Sequence, residues 1–238
     1  MTDLRSSAIC SASYVSEHTT LLSKECAAHV VDSQMDDITI WSETKKGGKV
    51  VERFPPNTTS INLGDKRIGS TDLSPLDQFP DLEALTLSGN ELQSIDLANL
   101  KTCENLLELS LGSNVIETID LSPLANCLSL LHLDLSFNKL REINLTPLAQ
   151  CKDLKALHLY ENKLVTIDLS ILSKCKKLRN LTLNNNGIKS LDISALFKCP
   201  NLMKLGLDDG VKLTADKKLK EANPPRALKP LLGNIEWY

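Results

Sequence analysis

Apolar residues recur along this chain with two interleaved periods. Over short stretches they alternate with small or polar residues: Leu109 and Leu111 sit between Glu108, Ser110 and Gly112. That two-residue period belongs to a half-buried strand. Over longer stretches the whole pattern returns every 24 residues, as Leu106–Ser129 (LLELSLGSNVIETIDLSPLANCLS) and Leu130–Asp153 (LLHLDLSFNKLREINLTPLAQCKD) show. Further copies begin at Leu82, Leu154 and Leu178. A weaker first copy begins at Thr58, and a decaying last one at Leu202. A fixed period in the range of roughly 20–50 residues identifies a solenoid, in which each copy buries its apolar side against the next and the end copies are degenerate.

Three features recur at fixed register. Cys103, Cys127, Cys151, Cys175 and Cys199 are spaced by 24 residues, and Phe79 takes the same place in the first copy. An apolar filler explains both residue types, so these thiols read as small buried hydrophobes. Asn90, Asn114, Asn138, Asn162 and Asn186 stand where the chain turns away from the strand; their amides are suited to the backbone groups that the turn leaves unpaired. Lys66 and Gly210 replace them at the ends. Ser122-Pro123 and Thr146-Pro147 read as a helix N-cap followed by proline at the first helical position, which predicts a short helix or 3₁₀ turn on the return. Ala98-Asn99 breaks that rule, and Ser170-Ile171 and Ser194-Ala195 lack the proline.

The pattern LxxLxLxxNxLxxIDLSPLxxCxx resembles the leucine-rich repeat family, over roughly Thr58 to Asp216. Its second half is most similar to the short-repeat class seen in a regulatory subunit of protein phosphatase 1. The resemblance implies an α/β solenoid: a right-handed superhelix with a parallel concave β-sheet, short helices or 3₁₀ turns on the convex side, and a cap at each end. It also implies a fold used mainly to bind other proteins. The expected organisation is an N-terminal cap over residues 1–56, repeats over 57–213 in about seven turns, and a C-terminal cap over 214–238.

Within the first cap, Glu17–Val31 has the apolar spacing of a helix. Ile38–Phe54 reads as a hairpin turning at Gly47-Gly48. Cys10, His18, Cys26 and His29 match no usual zinc spacing, so no metal is expected there. In the second cap, a short helix at Ala227–Leu232 and the side chains of Leu231, Leu232, Ile235 and Trp237 are expected to cover the last turn.

Function is expected on the concave strands, where every second side chain points outward. Most of these are small. The bulky or charged ones gather in the fourth and fifth copies: His132, Asp134, His158 and Tyr160, with Phe137 and Glu161 at the strand ends. Exposed aromatics beside charges are the usual makeup of an interface hot spot. Glu108 beside His132, and Asp134 beside His158, suggest carboxylate–imidazole pairs that would make partner binding sensitive to pH between about 5 and 7. Ser110, Asp134 and His158 share a rung, but a catalytic triad needs the histidine in the middle. An open sheet also offers no closed site, so no enzyme and no cofactor are expected.

The net charge of −3 hides a split: residues 1–141 carry −9 and residues 142–238 carry +6. Many of the later lysines fall on the convex side, without stacking aromatics, which argues against nucleic acid as the partner. The opening residues lack a basic start and an apolar run, and no stretch nears the ~18 apolar residues of a membrane span. The expectation is a cytosolic, or nuclear, monomer that acts as a non-enzymatic scaffold binding another protein. The alternatives are a regulatory subunit directing an enzyme such as a phosphatase or GTPase, and a nucleic-acid binder using the basic half.

Overall fold

The computed structural model describes residues 36–238. The helix expected at 17–31 and the Cys10, His18, Cys26 and His29 set lie outside these residues. The strands among the described residues are β1 (Ile38–Thr44), β2 (Lys49–Phe54), β3 (Ser60–Asn62), β4 (Ile68–Thr71), β5 (Ala84–Thr86), β6 (Glu108–Ser110), β7 (His132–Asp134), β8 (Ala156–His158), β9 (Asn180–Thr182), β10 (Ser190–Asp192), β11 (Lys204–Gly206), β12 (Lys212–Ala215) and β13 (Ile235–Trp237).

The repeat period dictates the central sheet. Seven strands, β3-β5-β6-β7-β8-β9-β11, pair in parallel, each offset from the last by one repeat. The middle residue of each strand points inward. Leu85, Leu109, Leu133, Leu157 and Leu181 are fully buried and in register. Fully buried leucines of this kind each cost about 2–5 kcal/mol when cut to alanine. The core is therefore a stack of identical leucine layers, closed at one end by Ile38 and Ile40 of β1 and at the other by Leu213, Leu228 and Ile235.

The asparagine ladder behaves as its register suggests. Asn138 Nδ2 donates to the carbonyls of Leu111, Leu135 and Ser136, and its Oδ1 accepts the Ile116 N–H at 3.0 Å. Asn114 and Asn162 repeat this bridge. At the N-terminal end Asn90 Oδ1 takes both Lys66 N–H and Ile68 N–H. At the other end the Asp208 carboxylate accepts the N–H groups of Asn185 and Asn186, standing in for the missing next asparagine.

The returning segments are 3₁₀ helices, among them Ser122–Asn126 and Thr146–Ala149. Here the expected Ser/Thr cap is corrected. The serine and threonine side chains cap nothing; each N–H is instead taken by the carboxylate or amide two residues earlier. Asp72, Asp96, Asp120, Asn144, Asp168 and Asp192 accept from Ser74, Ala98, Ser122, Thr146, Ser170 and Ser194 at 2.8–3.0 Å. Each of these short 3₁₀ turns opens on an N–H that has no carbonyl partner within the turn, and an Asx side chain two residues back reaches it without leaving the chain's own path.

Two smaller sheets flank the solenoid. In the first, β2-β1-β4 is antiparallel, with the β1–β2 turn held by Gly47 at φ +79° and the Gly47 N–H to Thr44 carbonyl bond. In the second, β10-β12-β13 is parallel, a sheet the sequence pattern did not announce. The expected helix at 227–232 is part of a longer 3₁₀ segment, Arg226–Asn234. Ile235 is buried, Leu231 is partly buried against the core and Trp237 packs edge-on to Phe197, whereas Leu232 is exposed.

Candidate protein-interaction surface

The outward side chains of β5–β9 form rungs across the sheet. His132 is exposed between Glu108 and Ala156; Asp134 lies between Ser110 and His158. Together with Asn180, Glu108 and Ser110, the residues His132, Asp134 and His158 line a shallow hollow of about 230 Å³. It is open and polar, and offers a contact surface rather than an enclosed reaction chamber.

The expected carboxylate–imidazole pairs are corrected. The partners are register neighbours, yet no His–carboxylate ion pair forms among the described residues. Asp134 turns to its own strand end, accepting from Ser136 N–H at 2.9 Å and Ser136 Oγ–H at 2.6 Å. His158 Nδ1 meets Thr182 Oγ1 at 3.0 Å. Burial pushes the His158 pKa below its ordinary 6.5; Asp134 pulls it up, and the charges of Lys204 and His132 push it down again. The ring is thus held neutral at neutral pH, the reverse of what a salt-bridged imidazole would show.

Beside the hollow stands an aromatic group. Phe137 and Tyr160 meet edge to face with centroids 5.0 Å apart, and Tyr160 meets the His158 ring at 6.4 Å. Phe137 remains 46% exposed. Glu161 lies at the next strand end, where its Oε1 accepts from Asn185 Nδ2 at 2.6 Å. The structure therefore gathers His132, Asp134 and His158 at the hollow and Phe137, Tyr160 and His158 beside it, while Glu161 is tied to its neighbouring turn.

Sequence reading missed the backbone beneath this group. The residue before each ladder asparagine is left-handed: Gly89 (φ +71°), Ser113 (+55°), Phe137 (+52°), Glu161 (+55°) and Asn185 (+58°). The turn requires that conformation in every copy, and glycine or asparagine adopts it readily. A phenylalanine there is strained. Gly89 was the available signal. Also missed is a hollow of about 400 Å³ on the N-terminal sheet, lined by Trp41, Glu43, Lys49 and Asp72, with Trp41 itself 53% exposed.

The cysteine ladder is buried and unpaired. The thiols of Cys127, Cys151 and Cys199 donate to the carbonyls of Leu100, Leu124 and Leu172, one turn back, at 3.2–3.4 Å. Burial pushes Cys127 and Cys175 up to about 12, and Cys151 and Cys199 up to about 11. Among the described residues no three His, Cys, Asp or Glu side chains are grouped to hold a metal ion, and no helix is long and apolar enough to cross a membrane.

Comparison with known proteins places this geometry. Six copies of the BspA type leucine rich repeat region match residues 76–203. No curated protein matches the chain. Among solved structures, an internalin (InlF) from Listeria monocytogenes is 25% identical with a TM-score of 0.51, over 77% of this chain and 62% of its own. A plant peptide hormone receptor, RGFR1 in complex with RGF2, is 26% identical with a TM-score of 0.52, over 63% of this chain and 24% of its own. This chain thus spans less than two thirds of either protein. The phosphatase-subunit likeness does not emerge from these matches. With the repeat model matching more than half of its length, the chain belongs to the BspA-type leucine-rich repeat family.

Proposed function

We propose that this protein is a non-enzymatic interaction scaffold that binds another protein on the face of the seven-stranded sheet, anchored at Phe137, Tyr160 and His158. The family and the solenoid fold support an interaction scaffold. One observation carries the choice of face. A half-exposed phenylalanine, in a backbone conformation that disfavours it, meets a tyrosine edge to face at the rim of the rung that holds His132, Asp134 and His158. At that register the other copies hold Gly89, Ser113, Glu161 and Asn185, none of them apolar and bulky. A strained, half-exposed phenylalanine paired with a tyrosine beside polar groups has the makeup of an interface anchor. The open hollow, with Asp134 and His158 engaged by Ser136 and Thr182, favours binding over catalysis.

The test compares wild-type protein with a Phe137→Ala/Tyr160→Ala variant, both immobilised, with retained proteins identified by mass spectrometry. A specific protein held by the first and released by the second is expected. Identical retention by both defeats this choice of face.

A further inference from the structure

We propose that the entry edge of the seven-stranded sheet is a two-signed rail for an extended peptide segment of the partner, basic at one end, apolar in its middle and acidic at the other. This rests on the reading of the sheet face as the binding surface, and names the chemistry it selects.

The rail is defined by backbone hydrogen bonds. In the row Glu83, Leu107, Leu131, Lys155, Arg179 and Met203, each N–H from Leu107 onward donates to the carbonyl of the residue before it in the row, at 2.7–2.8 Å. Each of those carbonyls also accepts the N–H that opens the next strand: Glu83 O takes Glu108 N–H and Arg179 O takes Lys204 N–H, both at 3.0 Å. The six residues are thus fixed one strand apart, at ~4.8 Å per step. Glu83 to Arg179 spans four steps, ~19 Å, the length of about six extended residues.

Charge along this row is sorted by sign. Glu83 and Glu108 stand together at one end, both exposed. Leu107 and Leu131 follow, half-buried. Lys155, Arg179 and Lys204 stand together at the other end, the last two exposed. Like charges on neighbouring strands repel, and alternating signs would have given cross-strand pairs instead. None of these five charges is in an ion pair: the four pairs among the described residues are Lys45–Glu91, Lys66–Glu52, Lys177–Asp153 and Lys212–Glu236. The sorted row works against the folded chain and lacks a complement among the described residues. A segment with the opposite order supplies that complement, cations over Glu83 and Glu108, apolar side chains over Leu107 and Leu131, carboxylates over Lys155, Arg179 and Lys204. A polyanion does not, because the acidic end repels it.

The experiment measures fluorescence anisotropy of the full chain with three labelled peptides of one composition: Arg-Arg, Leu-Leu and Glu-Glu in blocks, the same order reversed, and the charges alternating. One block peptide is expected to bind about tenfold more tightly than the alternating one, with the advantage shrinking as salt rises. Lys155→Glu/Arg179→Glu is expected to lose that peptide and to gain one carrying arginines at both ends. Equal binding of block and alternating peptides, an unchanged preference in the charge-reversed variant, or equal binding of an oligothymidylate overturns the rail. The Phe137→Ala/Tyr160→Ala variant separates this from the broader reading. It is expected to keep the charge preference of the peptides even as it loses the captured partner, and loss of the preference in that variant overturns the rail as the recognition element.

Discussion

The ring of Phe137 meets the ring of Tyr160 edge to face at 5.0 Å, although the Phe137 backbone stands at φ +52°. Two opposing effects meet at this residue. A non-glycine residue in the left-handed region costs about 1–3 kcal/mol, while an aromatic pair returns about 0.5–1.5 kcal/mol. Phe137→Asn removes both and is expected to leave stability within about 1 kcal/mol of wild type. Phe137→Val keeps apolar surface but adds β-branching where it is least tolerated, and is expected to fall about 1–2 kcal/mol below Phe137→Asn. Urea denaturation of the two variants checks this. If valine equals or exceeds asparagine, backbone strain does not govern this position.

His158 gives a pH dependence whose sign follows from its surroundings. Burial first, then Lys204 and His132, hold its pKa below 6.5 against the pull of Asp134. The unfolded chain therefore binds the proton more readily than the folded one. The stabilising contribution of the neutral ring is complete above the unfolded value of about 6.5 and is lost as pH falls through the lowered folded value. The urea midpoint of wild type is expected to drop more than that of His158→Gln between about pH 7.5 and 5.5. Parallel drops would show that the ring titrates as a free imidazole.

The central sheet, the asparagine ladder and the buried cysteines were legible because the 24-residue period repeats each of them, and because buried positions tolerate few residue types. Polar contacts were less legible where a local partner competes with a distant one. Asp134 and His158 are register neighbours, which the period reveals, yet Asp134 bonds Ser136, two residues away on its own chain. A local side-chain bond costs less ordering than one across strands. The same competition hid the turn chemistry. The Ser-Pro pair looks like a helix cap, but Asp120 reaches the Ser122 N–H first. The β10–β12–β13 sheet was hidden for another reason: its third strand, Ile235–Trp237, comes from outside the repeat.

The turn ladder makes a prediction with a natural control. Asp168 accepts from both Ser170 N–H and Ser170 Oγ–H, and in the copy before it Asn144 does the first of these tasks with an amide. Asp168→Asn is expected to be nearly neutral, and Asp168→Ala to cost about 1 kcal/mol, as for lost N-caps. Elsewhere in the ladder the bonds from Ser74 and Ser122 hold the Asp72 and Asp120 carboxyls below their ordinary 3.8. Their contribution is present above that value and fades as pH falls below it. An acid titration of stability with Asp72→Asn/Asp120→Asn is expected to be shallower below about pH 4 than wild type. An equally steep curve would remove these turns from the acid response.

The cysteine ladder should report on unfolding. Burial raises Cys127, Cys151, Cys175 and Cys199 to about 11 or 12, so at mildly alkaline pH these four hold almost no thiolate while folded. Iodoacetamide at about pH 8, followed by peptide mass spectrometry, is expected to leave these four unmodified in native buffer and to label all of them in denaturant. The same shift predicts a linkage at high pH. Because the folded values lie above the unfolded ones, the stability they contribute is complete below about pH 8.5 and is lost as pH rises towards 11 and 12. Cys151→Ala removes one such site and the Sγ–H bond to the Leu124 carbonyl at 3.4 Å. Its stability is expected to fall less steeply above about pH 9 than that of wild type. Rapid native labelling of any of the four would place that thiol in water and break the uniform stacking of the repeats at its turn.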